Sequence, residues 1–152
     1  MSDTTIIVFI NEHENKFDDS ESFKKHLTEN KDINSVSIQH GDVTLTDPEE
    51  LFRNSKLKTF ETEKNITLIG DCGGMFQGAK SFNGNLSRWN VSNVTNMEGM
   101  FGDAKSFNGD LSSWDVSKVT NMIDMFANAT SFNGDLSSWD VSKDTYTVKI
   151  IN

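Results

Sequence analysis

Between Met75 and Lys149 the apolar positions recur in a fixed order, and one 25-residue phrase appears three times: MFQGAKSFNGNLSRWNVSNVTNMEG, MFGDAKSFNGDLSSWDVSKVTNMID and MFANATSFNGDLSSWDVSKDTYTVK. Met97, Met100, Phe101 and Ala104 fall at i, i+3, i+4 and i+7, which predicts one apolar stripe on a short helix. Trp114 and Val116 alternate with Ser113, Asp115 and Ser117, the period of a strand with one buried face. Phe107 and Leu111 occupy the link from helix to strand, and Val119 the return. All three tryptophans and six of the eleven phenylalanines sit in these columns. A repeat of this length cannot bury its own apolar face, so neighbouring copies must stack to build one core. The expectation is an α/β solenoid of strand–helix units.

The polar columns repeat as well. Asn96 and Asn121 stand just before the stripe, where a side-chain oxygen can cap free helix N–H groups. The Asn-Gly pairs at 83–84, 108–109 and 133–134 suit tight turns with positive φ. Stacked asparagines that serve loop backbone groups are the plain reading of Asn83, Asn108 and Asn133; turns that touch a ligand are the alternative. If Trp114 and Val116 point inward, Asp115 lies beside Asp140 at about 4.8 Å, with Asn90 next in line. Like charges at that distance are unfavourable unless compensated, and Lys118 and Lys143 recur three positions on.

The phrase SFNGDLSSWDVSKVTNMIDMF resembles the repeat of the BspA-like bacterial surface proteins and the mycoplasma-type surface lipoproteins, a group with 25-residue repeats related to leucine-rich repeats. The resemblance covers residues 75 to 149. It implies a leucine-rich-repeat-like right-handed solenoid, displayed at cell surfaces and engaged in adhesion or protein binding, with no catalytic residues to carry over.

Upstream, TTIIVFI at 4–10 reads as a buried strand. Asp18, Asp19 and Ser20 offer caps for a helix with Phe23 and Leu27 that ends near Asn30, and Ile33, Val36 and Ile38 suggest a second strand. Asp47-Pro48-Glu49-Glu50-Leu51-Phe52 predicts another helix start. Laid over the repeat, Leu51-Phe52 falls in the column of Met75-Phe76, Met100-Phe101 and Met125-Phe126, and Asp47 in that of Asp71, Asn96 and Asn121. The whole chain, 1–152, is therefore read as one domain: an N-terminal α/β cap at 1–50, a diverged repeat at 51–74 with a strand at Ile66 to Ile69, repeats at 75–99, 100–124 and 125–149, and a C-terminal capping strand, TYTVKIIN. The alternative for that last strand is a sticky edge for self-association.

The net charge is −9, with eight basic and fifteen acidic groups in residues 1–74. That balance disfavours nucleic acid and anionic membrane as partners. No stretch approaches the roughly 20 apolar residues of a membrane span. MSDTTIIVFINEHENK lacks a basic n-region and a small-residue cleavage site, so the expectation is a chain without a secretory signal, cytoplasmic or virion-associated, against the surface habit of the resembled family. The sequons at Asn65, Asn90 and Asn93 then predict no glycan.

No catalytic constellation is present, and the chain is read as a non-enzyme without cofactor. His13, His26 and His40 are scattered over the cap without metal spacing. Cys72 falls in the column of Met97 and Met122, a buried hydrophobe rather than a nucleophile. The sharpest candidate is the outward face of Arg88, Asn90, Ser113, Asp115, Ser138 and Asp140: a protein-binding surface, a solvated strand face or, more weakly, a divalent cation site of Asp110, Asp115, Asp135 and Asp140. The functional reading is a protein-binding or adhesion module; the alternative is a structural or assembly component that self-associates.

Overall fold

The computed structural model describes residues 4–143. β1 (Ile6–Ile10), β2 (His13–Phe17), α1 (Ser20–Glu29), β3 (Ser35–His40), β4 (Val43–Thr46), β5 (Thr59–Thr62), β6 (Ile66–Asp71) and β7 (Trp89–Asn96) follow in that order. They form two sheets, β2-β1-β3-β5 and β4-β6-β7. In the first, β1 lies antiparallel to β2 and β3, and β5 runs parallel to β3; all of the second is parallel, with Val43 opposite Ile66 and Ile66 opposite Trp89.

In the N-terminal region, periodicity placed β1, α1 and β3 within a residue or two. Asp19 caps α1 by accepting the Ser22 N–H at 2.8 Å, and Asn30 closes it. Phe23 and Leu27 are the residues that α1 buries, with the Phe17 ring 5.2 Å from that of Phe23. β2, β4 and β5 carry too few apolar residues to announce themselves.

The strand–helix solenoid, and with it the leucine-rich-repeat-like right-handed coil, is not what forms. The structure is mostly sheet, and α1 is the one helix among the described residues. At the predicted helix positions the backbone makes consecutive reverse turns instead. Met100, Gly102 and Ala104 donate three residues back, to Met97, Gly99 and Phe101. The intervening Gly99, Phe101 and Asp103 donate at 2.7 to 2.8 Å to the Ile123, Met125 and Ala127 carbonyls of the next copy. A helix needs every one of those N–H groups for its own fourth preceding carbonyl, so the inter-copy bonds and the helix exclude each other.

Left-handed backbone enforces the choice. Glu50, Gly74, Gly99 and Asp124 all have φ near +60°, as do Asn54, Gly78, Asp103 and Asn128 four residues further on (+54 to +71°). One such residue in seven already ends a right-handed run. The same stretch at Asp47–Phe52 likewise turns rather than coils, with Asp47 itself at φ +48°. The expected second and third repeat strands are also missing: of the three repeats only the first forms a ladder strand, β7, and the parallel column continues as a single pair, Asn96 with Asn121. The proposed C-terminal strand lies outside the described residues.

What periodicity had right is burial. Met97, Met100, Phe101 and Ala104 are fully enclosed, and Trp114, Val116 and Val119 lie inward, with their counterparts, in one core shared with the N-terminal sheet. Phe52, Phe76, Phe101 and Phe126 stack at 5.4 to 5.6 Å between ring centres and within 15° of parallel. Phe82, Phe107 and Phe132 form a second column at 5.9 Å. The two columns touch ring to ring at 4.1 to 4.5 Å.

The Asn-Gly pairs serve a different end from the one expected. Gly84, Gly109 and Gly134 are not in the left-handed region. A Cβ at Gly84 would come within 2.6 Å of the Phe82 ring, and one at Gly109 within 2.8 Å of Phe107. These glycines clear space for the second phenylalanine column.

Two substitutions test this architecture. Phe101→Ala, which empties the centre of both columns, should cost about 3–5 kcal/mol and lower Tm by ten degrees or so. Gly99→Ala discriminates by sign: in a helix it would stabilise by about 1 kcal/mol, whereas at φ +60° with no close neighbour it should destabilise by about 1–2 kcal/mol. Thermal melts of both variants against the parent supply the measurement, and a more stable Gly99→Ala would refute the turn geometry.

Candidate interaction face

Each copy contains two Asx-type turns. Asp110 accepts both the N–H and the hydroxyl of Ser112, at 2.9 and 2.7 Å. Asp115 accepts the Ser117 N–H at 3.0 Å; Asp135 does the same for Ser137 and Asp140 for Ser142. In the preceding copy asparagines hold the same places, Asn85 with Ser87 and Asn90 with Ser92. Aspartate and asparagine interchange here because only one side-chain oxygen is used.

The predicted face divides into two kinds of residue. Ser113 and Ser138 donate their hydroxyls at 2.9 Å to the Ser87 and Ser112 carbonyls of the previous copy, and Arg88 donates to the Glu63 carbonyl at 2.9 Å. Asn90, Asp115 and Asp140 are tied within their own turns. All six side chains are exposed. Each is thus held by a bond to backbone, and the side chains of Asp115 and Asp140 remain exposed. Lys118 donates to Asn93 Oδ1 at 2.9 Å, so its ammonium sits over the neighbouring copy rather than in a bond to Asp115.

The Ser112, Ser117, Ser137 and Ser142 hydroxyls and N–H groups hold the carboxyls of Asp110, Asp115, Asp135 and Asp140 below the usual carboxylate range, against smaller upward pushes from desolvation on all four, from Asp135 on Asp110 and from Asp115 on Asp140. The cation arrangement envisaged for these four is absent: among the described residues no three His, Cys, Asp or Glu side chains converge as metal ligands.

Other candidates fall into structural roles. Burial, reinforced by the charges of Asp71 and Asp47, pushes the Cys72 thiol up to about 12, so no thiolate exists at neutral pH. Asn108 N–H donates to Asn83 Oδ1 at 2.8 Å and Asn133 N–H to Asn108 Oδ1 at 2.9 Å, so this column serves the loop backbone from copy to copy. Asn96 and Asn121 cap no helix; each accepts the N–H two residues on, from Glu98 and Ile123. An acidic groove along Glu49, Asp71, Glu98 and Asp124 raises the Glu49 carboxyl, chiefly through the charge of Asp71. The positive-φ columns at 99 and 103 escaped the sequence reading, although Gly, Asp and Asn recurring there every 24 or 25 residues were the available signal.

Stacked turns and short parallel strands, joined by hydrogen bonds one repeat apart, define a repeat protein. The family model described as "Mycoplasma protein of unknown function, DUF285" matches residues 46–152. The chain belongs to that family. No curated protein and no solved structure matches it.

The depressed aspartates fix the sign of a pH effect. Their folded-state pKa lies below the unfolded value of about 3.9, so their stabilisation is complete above that value and disappears as pH falls through the lower folded one. Melting temperature should therefore decline below about pH 4. A variant with Asp110, Asp115, Asp135 and Asp140 all changed to Asn should melt close to the parent at pH 7 and lose less on acidification; parallel curves for the two proteins would show that these turns do not govern the acid limb.

Proposed function

We propose that this protein is a non-catalytic binding module whose contact surface is the face of Arg88, Asn90, Ser113, Asp115, Ser138 and Asp140, and whose partner is a protein or another component of a host surface. Kinship with the BspA-like surface proteins, carried by the phrase from Ser106 to Phe126, belongs to the same reading. The observation that supports it most is the anchoring of this exposed face: Ser113 and Ser138 are each bonded to the backbone of the preceding copy at 2.9 Å. Side chains immobilised before contact lose little entropy in making it. The face also repeats, so one kind of contact can be made more than once, which multiplies affinity without new chemistry.

Charge on such a face governs capture rate more than fold. Replacing Asp115 and Asp140 together by Asn should keep the turns, as Asn85 and Asn90 do in the first copy, and leave Tm within a few degrees. Association with a basic or polar partner, captured from the native source and identified by cross-linking, should slow. Undiminished capture at unchanged Tm would remove this face from the interface. A molar mass that climbs with concentration would favour assembly of this chain with itself over capture of another component.

A further inference from the structure

A second surface stands out because its charge opposes that of the molecule. Lys56, Lys80 and Lys105 recur at the repeat spacing. The bonds from Asn54 N–H to Gln77 O and from Gly78 N–H to Gly102 O set the three on successive layers of the stack. Two shallow clefts of about 550 and about 330 Å³ share Asn54, Gly78 and Lys80 and so run together; Lys56 and Lys58 line the first, Arg53 and Lys105 the second. Five cations thus border one continuous depression, with Asp103 as the acid in its lining, on a protein of net charge −9.

Most other cations of the described chain are engaged by nearby groups, such as Lys16 by Glu14, Lys25 by Glu29 and Lys24 by the Thr46 carbonyl. Within the depression Arg53 pairs with Glu50 and Lys56 with Asp32. The side chains of Lys58, Lys80 and Lys105 are exposed, and their ammonium groups make no hydrogen bond or ion pair with any described residue. Of these, Lys80 and Lys105 belong to one column on adjacent layers, and like charges about one strand spacing apart repel. At Gly78, with φ +71°, the Asn54 side chain packs directly over the backbone, where a Cβ would collide with it.

We propose that this depression binds a linear acidic polysaccharide, its carboxylate or sulfate groups meeting Lys58, Lys80 and Lys105 and its hydroxyls meeting the amides and hydroxyls of Asn34, Asn54, Ser55 and Ser81 that share the lining. The chemistry of the lining selects among polyanions. No aromatic ring of the described residues borders it, so single-stranded nucleic acid would find no base-stacking platform there. It has no apolar rim to enter a bilayer. An extended acidic peptide presents same-face side chains about 6.6 Å apart, against roughly 4.8 Å between layers. The net negative charge of the protein limits the attraction to short range, since charges beyond about 8 Å are screened at physiological ionic strength. This site is separate from the Asp and Ser face and stands or falls independently of it.

The test uses the full chain and two oligosaccharide probes, oligogalacturonate with carboxylates and dextran sulfate with sulfate esters, with neutral dextran, a single-stranded oligodeoxynucleotide and poly-glutamate as comparators. The parent should bind at least one acidic sugar in a salt-sensitive manner and neutral dextran not at all. The two acidic probes show whether carboxylate or sulfate is preferred. Lys58→Gln with Lys80→Gln and Lys105→Gln should weaken that binding about tenfold, or about 1.4 kcal/mol, at unchanged Tm. Lys16→Gln with Lys25→Gln and Lys64→Gln, an equal change in net charge made elsewhere, should leave it within about twofold. Equal losses in the two triple variants, no binding by the parent, or binding of the oligodeoxynucleotide or poly-glutamate as tightly as the acidic sugar would each overturn the proposal.

Discussion

Everything in the repeat region depends on keeping phenylalanine rings in register from one copy to the next. Phe52, Phe76, Phe101 and Phe126 meet nearly face on, and each of the last three also lies against a ring of the second column. Rings of this size supply most of the buried apolar area in a small unit. Near-parallel stacking at 5.4 to 5.6 Å leaves little freedom for one copy to slide or rotate on another. The polar devices follow from that register. Asn83, Asn108 and Asn133 can pass hydrogen bonds along only if copies advance by one fixed step, and glycine occupies 84, 109 and 134 because the rings of the second column need the space.

The same constraint explains the loss of the helices. A helical turn satisfies its own backbone and therefore offers a neighbouring copy only side chains. In consecutive reverse turns half of the N–H groups remain available, and these tie Gly99, Phe101 and Asp103 to the next copy. The rings are thus held by backbone bonds directly beneath them, so packing and hydrogen bonding fix one spacing together.

Burial was legible in the sequence and conformation was not. Position in a repeated column suffices to place Met100 or Trp114 inside, because every copy must bury the same face. The spacing i, i+3, i+4, i+7 admits two backbones, however: a helix, or a run of three-residue turns that points the same side chains inward. What separates them is the residue between the apolar positions. Gly99 and Asp103, with Gly74, Gly78, Asp124 and Asn128 in the same columns, tolerate left-handed backbone. In the cap, Asp19 and the apolar run of β1 obey local rules and were readable. β2, written His13-Glu14-Asn15-Lys16-Phe17, forms only because β1 offers it a ladder partner. For the candidate face, outward direction could be read from alternation; the anchoring of Ser113 and Ser138 to the neighbouring copy could not, since it depends on how copies stack.

The three tryptophans differ in one respect. Trp114 Nε1 donates to the Leu86 carbonyl and Trp139 Nε1 to the Leu111 carbonyl, both at 2.9 Å, whereas Trp89 Nε1 is buried without a partner among the described residues. The diverged stretch before it, at 51–74, meets Trp89 with the Phe60 ring of β5, a strand of the other sheet, rather than with a leucine carbonyl. Each later copy carries its own indole donor and leaves a leucine carbonyl for the one after it. Gene duplication can therefore lengthen or shorten the array after Trp89 without redesign of the N-terminal half. The one imperfect joint is made once, however many copies follow.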